Sequence, residues 1–173
     1  MNVNFYLLCV SLILSGCTKI QDFTSIYGDN LVADYGTGIE IDYYLHGKLD
    51  FQLIAPEIEQ ISDPVEQNIF SQGIKVFIYN DALDTIASIY SDFAIQNKKE
   101  KLVEVKKNVI LQNNKDEQLS TETLFWDRDT KTIYTDDFVT IKTDNEIIMG
   151  YGFITDQTFS TYSLSNITGT IYL

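Results

Sequence analysis

The chain has 173 residues, with 25 Asp plus Glu against 12 Lys plus Arg, one histidine and two cysteines. That length allows one domain with a sizeable core, and a formal net charge of -13 argues against partners gripped through many phosphates, nucleic acid above all. Isoleucine, threonine, valine and the aromatic residues fill 69 of the 173 positions while alanine occurs five times, a strand composition, because branched and aromatic side chains fit a pleated, half-buried surface.

In chain order, Phe5 to Leu14 (FYLLCVSLIL) is a short apolar run, too short to span a bilayer comfortably and the right size for the core of a secretory signal. Leu14-Ser15-Gly16-Cys17 follows at once and resembles a lipobox, although Met1 to Tyr6 holds no Lys or Arg. Residues 1–16 are therefore expected to be a lipoprotein signal peptide and Cys17 the lipid anchor. Cys9 leaves with the signal, so the mature chain has no free thiol, and disulfides, thiolate metal sites and cysteine nucleophiles are excluded together. More than one acyl chain on Cys17 would tether the protein to the periplasmic face of a membrane. Residues 17–37 show no sustained alternation and are expected to be the lipidated tether, with the folded domain over 38–173.

From Gly38 onward, alternating segments separated by polar turns predict an all-β domain of about ten to twelve short strands. Ile39, Ile41 and Tyr43 alternate with polar partners, His46-Gly47-Lys48 turns the chain, and Leu49, Phe51 and Leu53 return. Pro56 has no N–H for a ladder and predicts an edge or a bulge. Phe70 to Ile78, a turn at Asn80 to Asp84, and Ile86 to Ile95 form the next unit. Val103 and Val105 precede a break at Lys106-Lys107-Asn108, after which Val109 and Leu111 resume the alternation. Leu119 to Trp126, Ile133-Tyr134, Phe138 to Ile141, Ile147 to Met149, Phe153 and Phe159 to Leu164 complete the set. Gly47-Lys48-Leu49, Asp81-Ala82-Leu83 and Glu117-Gln118-Leu119 form a faint repeat that suggests stacked hairpins, in a β-sandwich or an open, jelly-roll-like barrel.

The residues offer little to catalysis. His46, the single histidine, reads as a solvated turn residue, and Asp127-Arg128-Asp129 and Asp136-Asp137 lack the spacing of a calcium loop and read as charged turn tips. Gly36-Thr37-Gly38 and Gly150-Tyr151-Gly152 have no following helix to cradle a phosphate and suit a bulge or a close backbone approach. No pair of carboxylates stands out for glycoside hydrolysis. What remains is an abundance of large apolar side chains on alternate positions. Closely packed sheets would make them core; splayed sheets would make them the walls of a groove suited to acyl chains.

Asp42 to Asp63, Phe70 to Asn80 and above all Leu119 to Asp156 resemble LptC, the periplasmic component of the lipopolysaccharide-export ABC transporter. The most specific part is the order Leu119, Thr121, Glu122, Leu124, Trp126 and Asp127, then Ile133 to Asp136, then Val139 with Ile141, then Gly150, Gly152, Phe153 and Asp156. The resemblance implies a twisted, V-shaped β-jelly-roll whose open apolar interior receives the acyl chains of lipopolysaccharide, with no catalysis and no cofactor. It implies three partners: lipopolysaccharide, the permease subunits of the transporter, and the periplasmic bridging jelly-roll protein, joined strand to strand at free sheet edges. Here the expected C-terminal partner edge is Asn166, Ile167, Thr168, Gly169, Thr170 and Ile171. A lipobox stands where family members carry a transmembrane helix, so the expected address is the periplasm, anchored to the inner membrane; with Thr18 after Cys17 the signal alone is compatible with the outer membrane too.

Under this reading the apolar phase predicts ligand contacts from Phe51, Leu53, Phe70, Val76, Ile78, Val109, Leu111, Val139 and Ile141. The headgroup phosphates would stay outside or meet lysines such as Lys98-Lys99 or Lys106-Lys107. A glycan-binding β-sandwich lipoprotein, with Tyr43, Tyr44 and Trp126 as exposed platforms, and a hydrolase with a carboxylate pair are the alternatives from other classes.

Overall fold

The computed structural model describes residues 33–62 and 64–172. The expected signal, Cys17 and most of the expected tether lie outside them. Twelve antiparallel strands and no helix fill the described residues. They are β1 (Ala33–Leu45), β2 (Lys48–Ile61), β3 (Gln67–Phe70), β4 (Ile74–Tyr79), β5 (Thr85–Ser91), β6 (Phe93–Asn97), β7 (Leu102–Asn113), β8 (Gln118–Asp127), β9 (Thr132–Thr135), β10 (Val139–Lys142), β11 (Glu146–Asp156) and β12 (Tyr162–Tyr172). The predicted all-β jelly-roll class is therefore observed. β1 already pairs with β2 at Ala33↔Ile61, so the boundary expected at residue 38 falls inside a strand.

Hairpin turns follow local chemistry. His46 and Gly47 both take positive φ, 52° and 80°, the geometry a two-residue β1–β2 turn requires. Asn80 organises the β4–β5 turn by accepting the N–H groups of Ala82 and Asp84 on its side-chain oxygen, each at 2.9 Å. Leu83 sits in that turn at φ 67° and is exposed, whereas Leu49 opens β2 and Leu119 is buried in β8, so the faint repeat does not mark equivalent positions.

The hydrogen-bonded sheet folds into two layers because its long strands change partners midway. The first half of β2 pairs with β4 through Phe51↔Ile78 and Leu53↔Val76, and its second half with β3 through Glu59↔Ile69. β7 pairs with β6 before residue 107 and with β5 after it; β8 pairs with β9 near Trp126 and with β10 near Leu119; β11 pairs with β10 up to Gly150 and with β9 from Phe153. The first layer therefore runs β1-β2-β4-β5-β7-β8-β10-β11-β12 and the second β1-β2-β3-β6-β7-β8-β9-β11-β12, with six strands common to both.

The corners between layers carry the residues that interrupt a ladder. Gly38 at φ 62° stands across from Pro56, which lies where β2 leaves β4 for β3; β2 is an inner strand, and Pro56 marks its change of partner, not an edge or a register shift. The break predicted at Lys106-Lys107-Asn108 is a bulge, with Lys107 and Asn108 both at positive φ. It is pinned by Asp92, whose N–H donates to the Lys107 carbonyl at 3.0 Å and whose carboxylate accepts from Asn108 at 2.6 Å. Asp92 also divides the predicted strand Ile86 to Ile95 into β5 and β6. In β11 the register shifts at Gly150, where a Cβ would meet the Asn166 carbonyl oxygen at 2.5 Å, and Gly152 takes φ 68°. Bulge and close approach, the uses expected of this glycine pair, both occur.

Candidate functional site

The two layers face one another across an apolar interior. All nine positions expected to line it are 4% exposed or less. Leu53, Val76, Leu111 and Ile141 lie in one continuous cross-strand row with Ile89 and Leu119 between them. Phe51, Ile78, Val109 and Val139 flank that row in the same layer, while Phe70 alone stands on the second. Sequence reading missed the rest of the second wall, namely Ala94, Val105 and Leu124 in register with Phe70, and Val103, Trp126 and Ile133 in the next row. The same alternation in 103–105 and 124–126 carried that signal.

The interior is filled by its own side chains. Recesses of about 660 and 750 Å³ lie elsewhere, lined by Glu122, Phe138 and Tyr151 and by Ile54, Lys75 and Tyr90, with Ile110 in both. Ile54, Lys75, Tyr90 and Ile110 have the opposite strand phase to Leu53, Val76, Ile89 and Leu111, so these recesses are on outer faces. Of the two arrangements the sequence left open, the structure is the closely packed one.

Opposite the corners is a mouth where turns of the two layers meet. The Arg128 guanidinium, at the β8–β9 turn of the second layer, lies over the rings of Tyr43 and Phe51 of the first, 4.4 and 4.7 Å from their centroids. Tyr43 and Phe51 stack at 4.9 Å, and Phe51 meets Trp126 edge-on at 5.1 Å. Lys131 reaches Asp50 across the same gap at 3.5 Å. The β11–β12 turn folds inward and buries Phe159 against Phe153 and Tyr162, and Asn113 of the first layer donates to the Phe159 carbonyl at 3.0 Å.

Trp126 is 2% exposed, which removes it as the exposed glycan platform considered above; Tyr43 and Tyr44 stay exposed. Its indole N–H is buried without an acceptor among the described residues. Asp127 serves its turn by accepting the N–H groups of Thr130 and Asp129, the first of which leads in holding its carboxyl below the ordinary value. Of the lysine pairs, Lys106 is held by Glu104 at 2.8 Å and Lys107 lies over Phe93 at a corner, away from the mouth, whereas Lys98 and Lys99 stand in the β6–β7 turn beside Arg128.

Among the described residues β1 pairs with β2 alone, and β12, which contains all six residues of the expected partner edge, pairs with β11 alone. Ile167 and Ile171 are 60% and 51% exposed.

Among curated proteins no relative matches the chain. The family described as "Lipopolysaccharide-assembly, LptC-related" matches residues 37–172, which is nearly the whole two-layered domain. With that match over this fold, the chain belongs to the LptC-related family of lipopolysaccharide-assembly proteins.

Proposed function

We propose that the protein is a non-enzymatic lipopolysaccharide carrier that takes acyl chains between its two layers, receiving the lipid from the permease subunits of the export transporter and passing it to the periplasmic bridging jelly-roll protein. Membership of the family supports lipopolysaccharide transport as the broad role. The finer reading rests on one observation: an apolar interior, continuous from Leu53 to Ile141, is closed at its mouth by only a few side-chain contacts. A cation–π contact, an exposed ion pair and a hydrogen bond each contribute about 1 kcal/mol, whereas every buried acyl methylene contributes about 0.8 kcal/mol. The methylenes of several acyl chains together exceed these contacts and the burial of Phe159, and they replace the apolar packing that the layers give up, so the mouth parts in favour of lipid.

Among the described residues β12 pairs with β11 alone and supplies the docking edge, since an incoming strand completes the outward N–H and C=O groups of that strand. Asn166 to Ile171 serve the bridging protein; left uncovered, an edge of this kind invites aggregation. Cys17, outside the described residues, anchors the protein to the periplasmic face of the inner membrane through its acyl chains, a reading supported by the lipobox. No helix among the described residues is long and apolar enough to cross a membrane.

The phase of the strands gives the test. Photo-crosslinking residues at Leu53, Val76 and Ile141 should capture lipopolysaccharide, and the same residues at the outward neighbours Ile54, Lys75 and Thr140 should not. Labelling from the outward set alone would refute carriage in the interior.

A further inference from the structure

Arg128 is the single arginine of a chain with 25 carboxylate side chains, and its guanidinium has no carboxylate partner among the described residues. Its cationic neighbours do: Lys101 holds Asp129 at 2.6 Å, Lys131 faces Asp50, and Lys48 holds Asp81 at 2.6 Å. Arg128 is half-buried, and its guanidinium lies over two rings, Tyr43 and Phe51, at the mouth of the interior. No side-chain hydrogen bond engages this guanidinium among the described residues, so its forked donors are available to a phosphate or carboxylate, which they suit better than an ammonium does. Its own turn is tied to the lysine-bearing β6–β7 turn by the Arg128 N–H donating to the Lys101 carbonyl at 3.2 Å. Trp126, edge-on to Phe51, carries a buried indole N–H that is a second donor without an acceptor among the described residues.

We propose that Arg128 is the headgroup site of this carrier: its guanidinium binds a phosphate of an amphiphile whose chains occupy the interior beside Phe51 and Trp126. The inference deepens the lipid-carrier reading and rests on it. The negative protein accepts an anionic ligand because apolar chains supply most of the attraction and one stacked cation supplies the polar recognition. The indole N–H of Trp126 suits an ester or amide carbonyl at the head of an acyl chain.

The single tryptophan provides the readout, since Trp126 lies next to the proposed site. The full chain is titrated with bisphosphorylated lipid A, with lipid A stripped of both phosphates, and with inorganic phosphate, while indole emission is followed. Bisphosphorylated lipid A should bind about tenfold more tightly than the stripped form, the value of one charge-assisted phosphate contact. Arg128→Gln should remove that preference, so that the bisphosphorylated and stripped lipids bind alike, and Arg128→Lys should keep only part of it. Thermal unfolding checks that each variant is folded; the comparison of the two lipids on the unaltered protein decides the matter if Arg128→Gln is not. Equal binding of both lipids by the unaltered protein would overturn the headgroup site and leave the carrier reading standing. Inorganic phosphate binding as tightly as the lipid would also overturn it, by making Arg128 a site for free phosphate. No binding of either lipid would overturn the carrier reading, and the headgroup site with it.

Discussion

Asn113 and Phe159, 46 positions apart, are joined by a 3.0 Å hydrogen bond from the Asn113 side-chain amide to the Phe159 carbonyl, and this bond ties β7 of the first layer to the β11–β12 turn of the second. The same Asn113 side chain organises the β7–β8 turn by accepting the N–H groups of Lys115 and Glu117, at 2.9 and 3.1 Å. One buried amide thus shapes a local turn and holds the inward fold of a distant one.

Replacing Asn113 with alanine leaves the Phe159 carbonyl and two turn N–H groups without their partner. Each buried group left unpaired costs about 1–3 kcal/mol, so Asn113→Ala should lower the unfolding free energy by about 2–3 kcal/mol in denaturant titration. Asn113→Asp should be worse near neutral pH, because a carboxylate cannot donate to Phe159 and would face Glu117, which the native amide contacts. That excess should vanish in acid as the new carboxyl protonates.

Phe159 is fully buried, and a bulky residue at its φ of 52° bears backbone strain that ring packing must offset. Phe159→Ala should cost about 3–5 kcal/mol, the usual effect of removing an aromatic ring from a packed core. Phe159→Leu keeps most of the apolar volume and should cost about half as much, a difference read from the two unfolding midpoints.

Alternation made the first layer legible in the sequence: the phase that puts Leu53, Val76, Leu111 and Ile141 inward is visible in each strand separately. What alternation leaves out is the change of partner. Pro56 and Lys107-Asn108 were recognisable as interruptions, but their meaning as corners depends on which distant strand takes over the ladder, and no local pattern encodes that. Arg128 escaped notice for the same reason. In sequence it is one member of a charged turn, and its stacking on Tyr43 and Phe51 exists only once two layers meet. Phe159 was read as the start of a strand, yet Asp156 accepts its N–H at 3.0 Å and turns the chain so that its ring enters the core.

Asp156 makes the stability of that turn dependent on pH. Burial pushes its carboxyl up, but hydrogen bonds from Thr158 and Ser160 outweigh burial and hold it below the ordinary carboxylate value. With the native pKa depressed, the unfolded chain takes up the proton more readily. The stabilisation is therefore complete above the unfolded value of about 4 and is lost as pH falls through the native value. Asp156→Asn should unfold at lower denaturant than the parent near neutral pH, and the gap between the two should narrow on acidification below about pH 4. A gap that stays constant with pH would mean the carboxylate charge contributes nothing.

Gly150 links the interior to the free C-terminal edge. A Cβ at this position would meet the Asn166 carbonyl oxygen at 2.5 Å and Ile167 Cα at 3.2 Å, both backbone atoms of β12 that have no rotamer to retreat into. Gly150→Ala should therefore displace β12 at its bulge, at a cost of about 1–3 kcal/mol for a methyl forced into a packed site. Because β12 is held by β11 alone among the described residues, the damage should be local: amide hydrogen exchange should quicken in β12 while β4 and β5, paired on both sides, keep their protection. The same displacement should weaken strand addition at Asn166 to Ile171 more than lipid capture in the interior, because Gly150 pairs with Val139 at the flank of the first-layer row and not with the row from Leu53 to Ile141 itself. Equal loss of lipid and partner binding in Gly150→Ala would show instead that edge and interior act as one unit.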